Sequence, residues 1–285
     1  MKGLSLSIEV LHGDCRQLLR QLPDESINCI VTSPPYWGLR DYGCEKQLGM
    51  EPTPDHYTDN LVAVFNEARR VLRSDGTLWL NLGDCYARTS YANSRDNNIV
   101  TRGRENIRQT RKGQWKGLPA KSLVGIPWRV ALAMQQDGWL LRSDIIWNKP
   151  NPTPESVTDR PTRAHEYLFL FTKTGRYYYD ADAIREPYVT KYKRANPKGK
   201  NKRTVWTIAP QPFKGGHFAA FPPKLVKMCL KAGCPPGGKV LDPFYGAGTT
   251  GLVASKLGLK SIGMELNPDY IAISTSRVAQ GMADS

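Results

Sequence analysis

Three features that would assign the chain to other classes of protein are missing from its sequence. The six cysteines form no CxxC pair, and the four histidines do not cluster with them. Neither a metal site nor a disulfide-stapled fold is therefore indicated. No apolar run is long enough to cross a bilayer, and residues 1–13 lack a basic start followed by a long apolar stretch. We expect a cytoplasmic protein of a reducing compartment that binds neither a metal nor a membrane.

The net charge of +14 comes from two segments of the chain. Residues 88–121 hold nine basic residues against two acidic ones, and residues 185–203 hold eight against one, whereas the rest of the chain has 23 of each sign. Such local excess is typical of solvated loops and also of surfaces that bind polyanions. Aromatic side chains that can stack on bases lie within or beside these segments: Tyr91, Trp115, Tyr188 and Tyr192. A nucleic-acid partner and a solvated surface both remain open on these observations.

Apolar patterning predicts strands that alternate with helices along most of the chain. We expect strands over 7–11, 27–32, 77–82, 139–147, 166–171, 239–242 and 260–264. We expect helices over 15–22, 59–72, 127–136, 222–233, 249–257 and 268–279. Residues 74–76 should end the second helix, and 88–121 and 180–216 should be irregular. The alternation indicates a single α/β domain over 1–285 with a doubly wound, mostly parallel sheet of the Rossmann type.

A glycine-rich turn follows the strand 239–242. Gly246-x-Gly248-x-x-Gly251 opens a helix, and Glu265 ends the next strand, as in sites that bind a dinucleotide or S-adenosylmethionine. Asp242 offers a carboxylate to a cationic amino-acid group, which S-adenosylmethionine has and NAD lacks. Near the helix start, hydroxyls that can bind a carboxylate belong to Thr249 and Thr250. These residues favour S-adenosylmethionine, with a NAD(P)-linked oxidoreductase as the alternative.

The string Thr32-Ser33-Pro34-Pro35-Tyr36-Trp37 follows a strongly apolar strand. An exocyclic amino group of a base is a poor nucleophile until hydrogen-bond acceptors aimed at its protons localise the nitrogen lone pair. Ser33 can supply its hydroxyl, the Ser33 or Pro34 carbonyl can supply a second acceptor, and Pro34 and Pro35 hold the backbone rigid. Tyr36 can stack on a base swung out of the duplex, and Trp37 can extend that wall. A rigid strand exit without chemistry is the alternative interpretation.

These motifs together resemble those of the β-class DNA amino-methyltransferases of bacteria and phages, in which the catalytic motif precedes the cofactor motif. The matching strings are Gly13-Asp14, 32–37, 147–151, 163–167, 217–222, 242–250 and 263–267. Of these, 147–151 and 163–167 are similar to segments that line the family's target-base side. The resemblance implies a fold with its catalytic half before its cofactor half, S-adenosylmethionine as cofactor and duplex DNA as substrate in a bacterial or phage-infected cell. It adds Asp14, Thr32, His217, Phe218, Phe244, Gly246, Gly248 and Asn267 to the cofactor-binding residues. His165 and Glu166 receive no catalytic role, because a His-Glu pair before a strand is as often structural.

The resemblance also places target recognition in 180–216, and the charge of 88–121 suggests a clamp over DNA. The DNA-binding candidates are Trp37, Arg102, Arg104, Arg108, Arg111, Lys112, Lys191, Lys193, Arg194, Lys198, Lys200, Lys202 and Arg203. Methylation would belong to a restriction-modification system whose endonuclease acts separately, and we expect a monomer or weak dimer.

Ser33 bears on which base is methylated. Within the family, Ser at this position is typical of cytosine-N4 enzymes and Asp of adenine-N6 enzymes, so cytosine N4 is favoured and adenine N6 is the alternative. Other hypotheses are methylation of RNA or of protein glutamine, and a catalytically silent DNA-binding module.

Overall fold

A computed structural model of the chain describes residues 8–87, 118–189, 196–211 and 221–283. Its strands are β1 (Ile8–His12), β2 (Ile27–Thr32), β3 (Leu72–Leu82), β4 (Leu140–Asn148), β5 (His165–Thr172), β6 (Val205–Thr207), β7 (Lys239–Asp242) and β8 (Lys260–Glu265). Its helices are α1 (Cys15–Leu18), α2 (Pro54–Val71), α3 (Ile126–Gln136), α4 (Pro223–Gly233), α5 (Thr249–Lys256) and α6 (Pro268–Ala283). These elements follow the predicted alternation.

The strands of the described ranges form one sheet in the order β1-β8-β7-β2-β3-β5-β4-β6. All neighbours are parallel except that β5 runs antiparallel to both β3 and β4. The carboxyl ends of β8, β7, β2 and β3 therefore meet at one edge of the sheet, and β5 begins at that same edge. The predicted mostly parallel α/β fold is confirmed.

Helices cover both faces of the sheet. On one face, α2 and α3 pack against side chains such as Ile30 and Leu80, and on the other, α4 and α5 pack against Val31 and Trp79. Neighbouring residues of β2 thus point to opposite faces, as the two-residue period of a strand requires. All four side chains are buried, and each large apolar one contributes roughly 1.5–3 kcal/mol to folding.

The boundary between α2 and β3 differs from the prediction. The helix begins at Pro54, where the Thr53 hydroxyl accepts from the backbone N–H of His56 at 3.1 Å, and it ends at Val71. The strand then starts at Leu72, and the pairing of β2 with β3 shifts register between Ile27 and Cys29. This irregularity accommodates residues 73–75, which are exposed, so the Ser-Asp-Gly sequence belongs to the strand instead of separating it from the helix.

Strand β6 was not predicted, because it lies within 180–216, which we expected to be irregular. Three residues pair with β4, and Trp206 is buried with its indole N–H donating to the Arg203 carbonyl at 2.8 Å. The Trp206 ring lies 6.1 Å from that of Trp79. Packing of one tryptophan therefore attaches part of this basic segment to the core.

Candidate active site

A cavity of about 670 Å³ lies at the sheet edge where β2, β7 and β8 end. Its volume falls within the range of about 300–1,000 Å³ that is usual for small-molecule sites, and its position is the usual one in open α/β folds. The predicted and newly found residues of the lining fall into two groups, one near the ends of β7 and β8 and the other where β2 and β3 end and β5 begins. The Glu265 end is lined by Asp14, Phe244, Gly246, Thr249, Glu265 and Asn267. The Ser33 end is lined by Ser33, Pro34, Pro35, Tyr36, Asn81, Lys149 and Glu166.

Backbone N–H groups hold the carboxylate at the Glu265 end. Glu265 accepts from the N–H of Gly246 at 2.7 Å and from the N–H of Asn267 at 2.8 Å. Gly246 has a φ of 49°, a left-handed conformation that favours glycine and brings its N–H to the carboxylate. Burial raises the pKa of Glu265 above its ordinary value. The result is a fixed carboxylate facing a cavity, suited to accept hydrogen bonds from sugar hydroxyls.

Asp14 occupies the same end through the start of α1. Its carboxylate accepts from the backbone N–H of Arg16 at 2.9 Å and pairs with the Arg16 guanidinium at 2.6 Å. Burial raises the pKa of Asp14, but the hydrogen bonds and charge of Arg16 outweigh burial, and the net pKa is lowered. Asp14 therefore places an ionised carboxylate, paired with Arg16, in the lining of the cavity.

Asp242 is fully buried and does not line the cavity. One carboxylate oxygen accepts from the Thr32 hydroxyl at 2.6 Å and the Phe244 N–H at 3.1 Å, and the other accepts from the Thr250 hydroxyl at 2.7 Å. Burial raises its pKa to about 6. Contrary to our expectation of direct contact with a cationic ligand group, Asp242 ties the glycine-rich loop to the strand that carries Ser33.

The other predicted cofactor residues also divide into those that line the cavity and those that do not. Thr32, Gly248 and Thr250 support the loop from outside the cavity lining, and Gly248 has a φ of 74° at the start of α5. Thr249 lines the cavity, and its hydroxyl accepts from the Arg277 guanidinium at 2.8 Å. His217 and Phe218 lie outside the described residues.

At the Ser33 end, the tyrosine of the catalytic motif is held by hydrogen bonds. Its hydroxyl donates to Glu166 Oε2 at 2.6 Å, lies 3.1 Å from Asn81 Oδ1, and accepts from the Ser33 hydroxyl at 3.4 Å. Burial raises the pKa of Tyr36 well above its ordinary value, and the negative charge of Glu166 adds to the increase. Tyr57 donates to the Pro35 carbonyl at 2.8 Å and fixes the backbone next to it.

Three further residues line this end: Asn81 was not predicted, and Lys149 and Glu166 lie in the strings matched to the family's target-base side but received no individual role. Asn81 is buried near the end of β3, Glu166 stands near the start of β5, and Lys149 follows β4. Lys149 forms an ion pair with Glu166 and lies 4.4 Å above the ring of Trp147. For Asn81, the available signal in the sequence was a polar residue within the otherwise apolar run 78–82.

Trp37 lies elsewhere than its predicted role requires. Its ring packs against the hydrophobic core, its indole N–H donates to the Glu51 carbonyl at 2.9 Å, and it does not line the cavity. The Trp37 side chain is directed to the core, although Leu39 and Arg40 line the cavity again, so Trp37 does not extend the wall formed by Tyr36.

Acidic neighbours pair with the basic residues of 198–203. Glu186 lies 3.0 Å from Lys202 and 3.6 Å from Lys200 and also pairs with Arg203, whereas Lys198 pairs with Asp182 at 2.6 Å. Burial would raise the pKa of Glu186, but the bonds from Lys202 and Arg203 outweigh it and hold that pKa at about 2. The predicted DNA contacts outside the described residues are Arg102, Arg104, Arg108, Arg111, Lys112, Lys191, Lys193 and Arg194.

Comparison with known proteins identifies the class of enzyme. The DNA methylase family model matches residues 27–276. The Type II methyltransferase M.SmaI of Serratia marcescens is 49% identical over 275 residues, which are 95% of this chain and 91% of the relative. The chain therefore belongs to the DNA methylase family whose members methylate amino groups of adenine or cytosine.

Solved structures agree on the fold. The PvuII DNA methyltransferase (cytosine-N4-specific) has a TM-score of 0.67 at 22% identity, covering 96% of this chain and 91% of that one. A putative DNA modification methylase of Thermus thermophilus, solved in complex with S-adenosyl-L-methionine, has a TM-score of 0.63 at 24% identity, covering 96% and 93%.

The protein is thus a DNA methyltransferase, and the predicted S-adenosylmethionine is its methyl donor. The Glu265 end fits this cofactor, because a partly buried carboxylate, the Phe244 ring and a second acid lie along one cavity. Within the described ranges, no group of three or more His, Cys, Asp or Glu could hold a metal ion. Over the same residues, no helix is both long and apolar enough to cross a membrane.

Proposed function

We propose that this enzyme methylates the N4 amino group of cytosine in duplex DNA. The observation that carries the proposal is Ser33, a neutral hydroxyl acceptor at the cavity position where the family's adenine-N6 enzymes usually have Asp. The likeness to the PvuII enzyme, at 22% identity, bears on the fold alone, so the choice of base rests on Ser33.

The residues at the Ser33 end have distinct roles in this proposal. The Ser33 hydroxyl accepts one proton of the target amino group, and the Ser33 or Pro34 carbonyl accepts the other. Two such bonds draw the nitrogen toward a tetrahedral geometry and localise its lone pair. Pro34 and Pro35 keep the acceptors preorganised, and Tyr36 packs its ring on the base, which must leave the duplex to reach the cavity.

Residues of the Glu265 end hold the cofactor. Glu265 would accept hydrogen bonds from the ribose hydroxyls, Phe244 and Asn267 would contact the adenosine, and Asp14 would lie at the same end of the site. Bound there, S-adenosylmethionine would supply a methyl group on a cationic sulfur; the sulfur would keep the bonding electron pair, and the amino nitrogen would release one proton to solvent. Asp242, Thr32, Gly248 and Thr250 act indirectly by fixing the loop.

We further propose that the basic segments bind the DNA backbone. Lys198 and Arg203 have side chains that are 66% and 69% exposed, so phosphates can reach them despite their acidic partners. We propose phosphate contacts also for the basic candidates outside the described residues, and recognition of the target sequence by 180–216. A restriction endonuclease acting separately would cleave unmethylated DNA, and the methyltransferase would work as a monomer or weak dimer.

Nucleoside mass spectrometry tests the choice of base. Duplex DNA is treated with the enzyme and isotopically labelled S-adenosylmethionine, then digested to nucleosides. We expect label in N4-methylcytosine and none in N6-methyladenine. Label in N6-methyladenine alone would show that the adenine alternative is correct, and equal labelling of single-stranded RNA would contradict the duplex DNA substrate.

A further inference from the structure

The hydrogen bonds around Tyr36 have a direction that can be derived from the number of protons available. Glu166 as a carboxylate has no proton, so at 2.6 Å the Tyr36 hydroxyl must be the donor to it. Asn81 uses its two amide hydrogens on Glu166 Oε2 at 3.1 Å and on the Tyr167 carbonyl at 3.0 Å. Its oxygen, an acceptor, therefore faces Tyr36. No proton of Asn81 or Glu166 points at the tyrosine oxygen.

This arrangement fixes the orientation of Ser33. The single proton of Tyr36 is directed to Glu166, so the tyrosine oxygen can only accept from the Ser33 hydroxyl, 3.4 Å away. A serine hydroxyl has one proton and two lone pairs. With its proton directed to Tyr36, Ser33 presents lone pairs to the cavity. The opposite direction would aim the Ser33 proton at the protons of an incoming amino group.

Lys149 and the sheet register keep Glu166 in position. Glu166 pairs across the sheet with Trp147, and the Lys149 backbone N–H donates to the Ala164 carbonyl at 2.7 Å. The Lys149 ammonium then reaches the Glu166 oxygen that Tyr36 does not use. A side chain that is only 15% exposed thus has both of its oxygens bonded. Hydrogen bonds to an ionised group are the stronger kind, so the carboxylate sets the direction for the hydroxyls next to it.

We propose that Glu166 is a positioning residue that turns Ser33 into an acceptor for the target amino group by way of Tyr36. The proposal rests on the proposed function in one respect, the contact between Ser33 and the amino group. It assigns Glu166 no contact with substrate and no proton transfer. The effect of Glu166 on Ser33 is transmitted through the Tyr36 hydroxyl. A substitution that removes only this hydroxyl should therefore abolish this effect.

A double-mutant cycle with Glu166→Gln and Tyr36→Phe tests the inference. Tyr36→Phe keeps the ring for stacking and removes only the hydroxyl. We expect each single variant to lower kcat by roughly 10- to 100-fold with KM for DNA nearly unchanged, because the interaction matters in the transition state. In the Tyr36→Phe background, Glu166→Gln should lower kcat by no more than about twofold further, since the two residues act in series.

Matched variants separate this role from a structural one. Asp159→Asn removes an exposed carboxylate outside the cavity lining, one that pairs with Lys121, and should keep kcat within about threefold of wild type. Glu166→Asp retains a carboxylate and should be faster than Glu166→Gln. Calorimetry with S-adenosylmethionine should give equal affinity for all these variants.

Three results would overturn the inference: an unchanged kcat in Tyr36→Phe, losses that multiply in the double variant, or a Glu166→Asp variant no faster than Glu166→Gln. The kcat of Tyr36→Phe remains informative even if Glu166→Gln fails to fold, because this variant removes the hydroxyl through which Glu166 acts on Ser33. Nucleoside analysis of the wild-type product is independent. An N6-methyladenine product would refute the proposed base and leave the cycle interpretable.

Discussion

The two ends of the cavity are built in different ways. At the Glu265 end, the carboxylate is held by backbone N–H groups 2 and 19 residues away in the sequence. At the Ser33 end, Tyr36 is held by side chains 45 and 130 residues away. A ligand with a constant shape can be bound by a preformed backbone loop, whereas activation of an amino group requires side chains whose protons have a defined direction.

This difference predicts separable defects. Changes at the Glu265 end should weaken cofactor binding and spare the chemical step, and changes at the Ser33 end should do the reverse. Asp242 lies between the ends and should affect mainly the stability of the fold.

Ser33→Ala should give the largest loss. Removal of one preorganised hydrogen-bonding group from a transition state costs about 10²- to 10³-fold in rate. We expect a loss of this size in the single-turnover methylation rate, with unchanged affinity for S-adenosylmethionine by calorimetry. A variant that methylates at the wild-type rate would show that Ser33 does not contact the amino group.

Asp242→Asn should change how stability depends on pH. The pKa of Asp242 is raised to about 6 in the folded protein, against about 3.9 in an unfolded chain. Its contribution to the free energy of unfolding is therefore full below about pH 3.9 and is lost as pH rises through 6, a loss of about 3 kcal/mol. Thermal unfolding followed from pH 4 to 7 should show this decline in the wild type and not in the variant. Parallel curves for the two proteins would mean that Asp242 is not desolvated.

Glu265→Gln should weaken S-adenosylmethionine binding by about 10- to 150-fold, since hydrogen bonds to a charged group contribute roughly 1.5–3 kcal/mol. The raised pKa of Glu265 also predicts that wild-type affinity falls as pH decreases through that pKa, when the carboxylate becomes protonated. Calorimetric titration over a pH series measures both effects. Equal pH dependence in the wild type and the variant would assign the titration to another group.

Substitutions in the basic segment should have the smallest effect. Lys198→Ala and Arg203→Ala remove exposed charges, and each should weaken DNA binding about equally for all sequences and reduce the salt slope by about one. Lys202→Ala is the comparison, because this side chain is 19% exposed and bonded to Glu186. Fluorescence anisotropy measures DNA affinity at several salt concentrations. If affinity depends on salt with the same slope in wild type and in all three variants, this surface does not contact phosphates.

Sequence reasoning succeeded where a function depends on local order. The strand β7, the glycine turn and Glu265 follow one another within 27 residues, and the Ser-Pro-Pro-Tyr string directly follows β2, so both could be assigned from spacing. Strands β2 and β7 were predicted with their observed limits.

The same reasoning failed where function depends on tertiary pairing. Glu166 gains its importance from the antiparallel insertion of β5 between β3 and β4, which a list of strands does not reveal. Asp242 and Trp37 carry suitable groups for ligand contact, but burial directs the first to two threonines and the second to the core. The direction of a side chain depends on packing, and spacing alone does not determine it.

Cofactor binding is assigned to the Glu265 end and the chemical step to the Ser33 end. Single-turnover methylation at saturating S-adenosylmethionine tests this assignment most directly. At saturation, Glu265→Gln should recover a rate within about threefold of wild type, because only its binding is impaired, whereas Ser33→Ala should remain at least about 100-fold slower. Recovery of Ser33→Ala at high cofactor concentration, or a Glu265→Gln rate that stays low at saturation, would contradict the account.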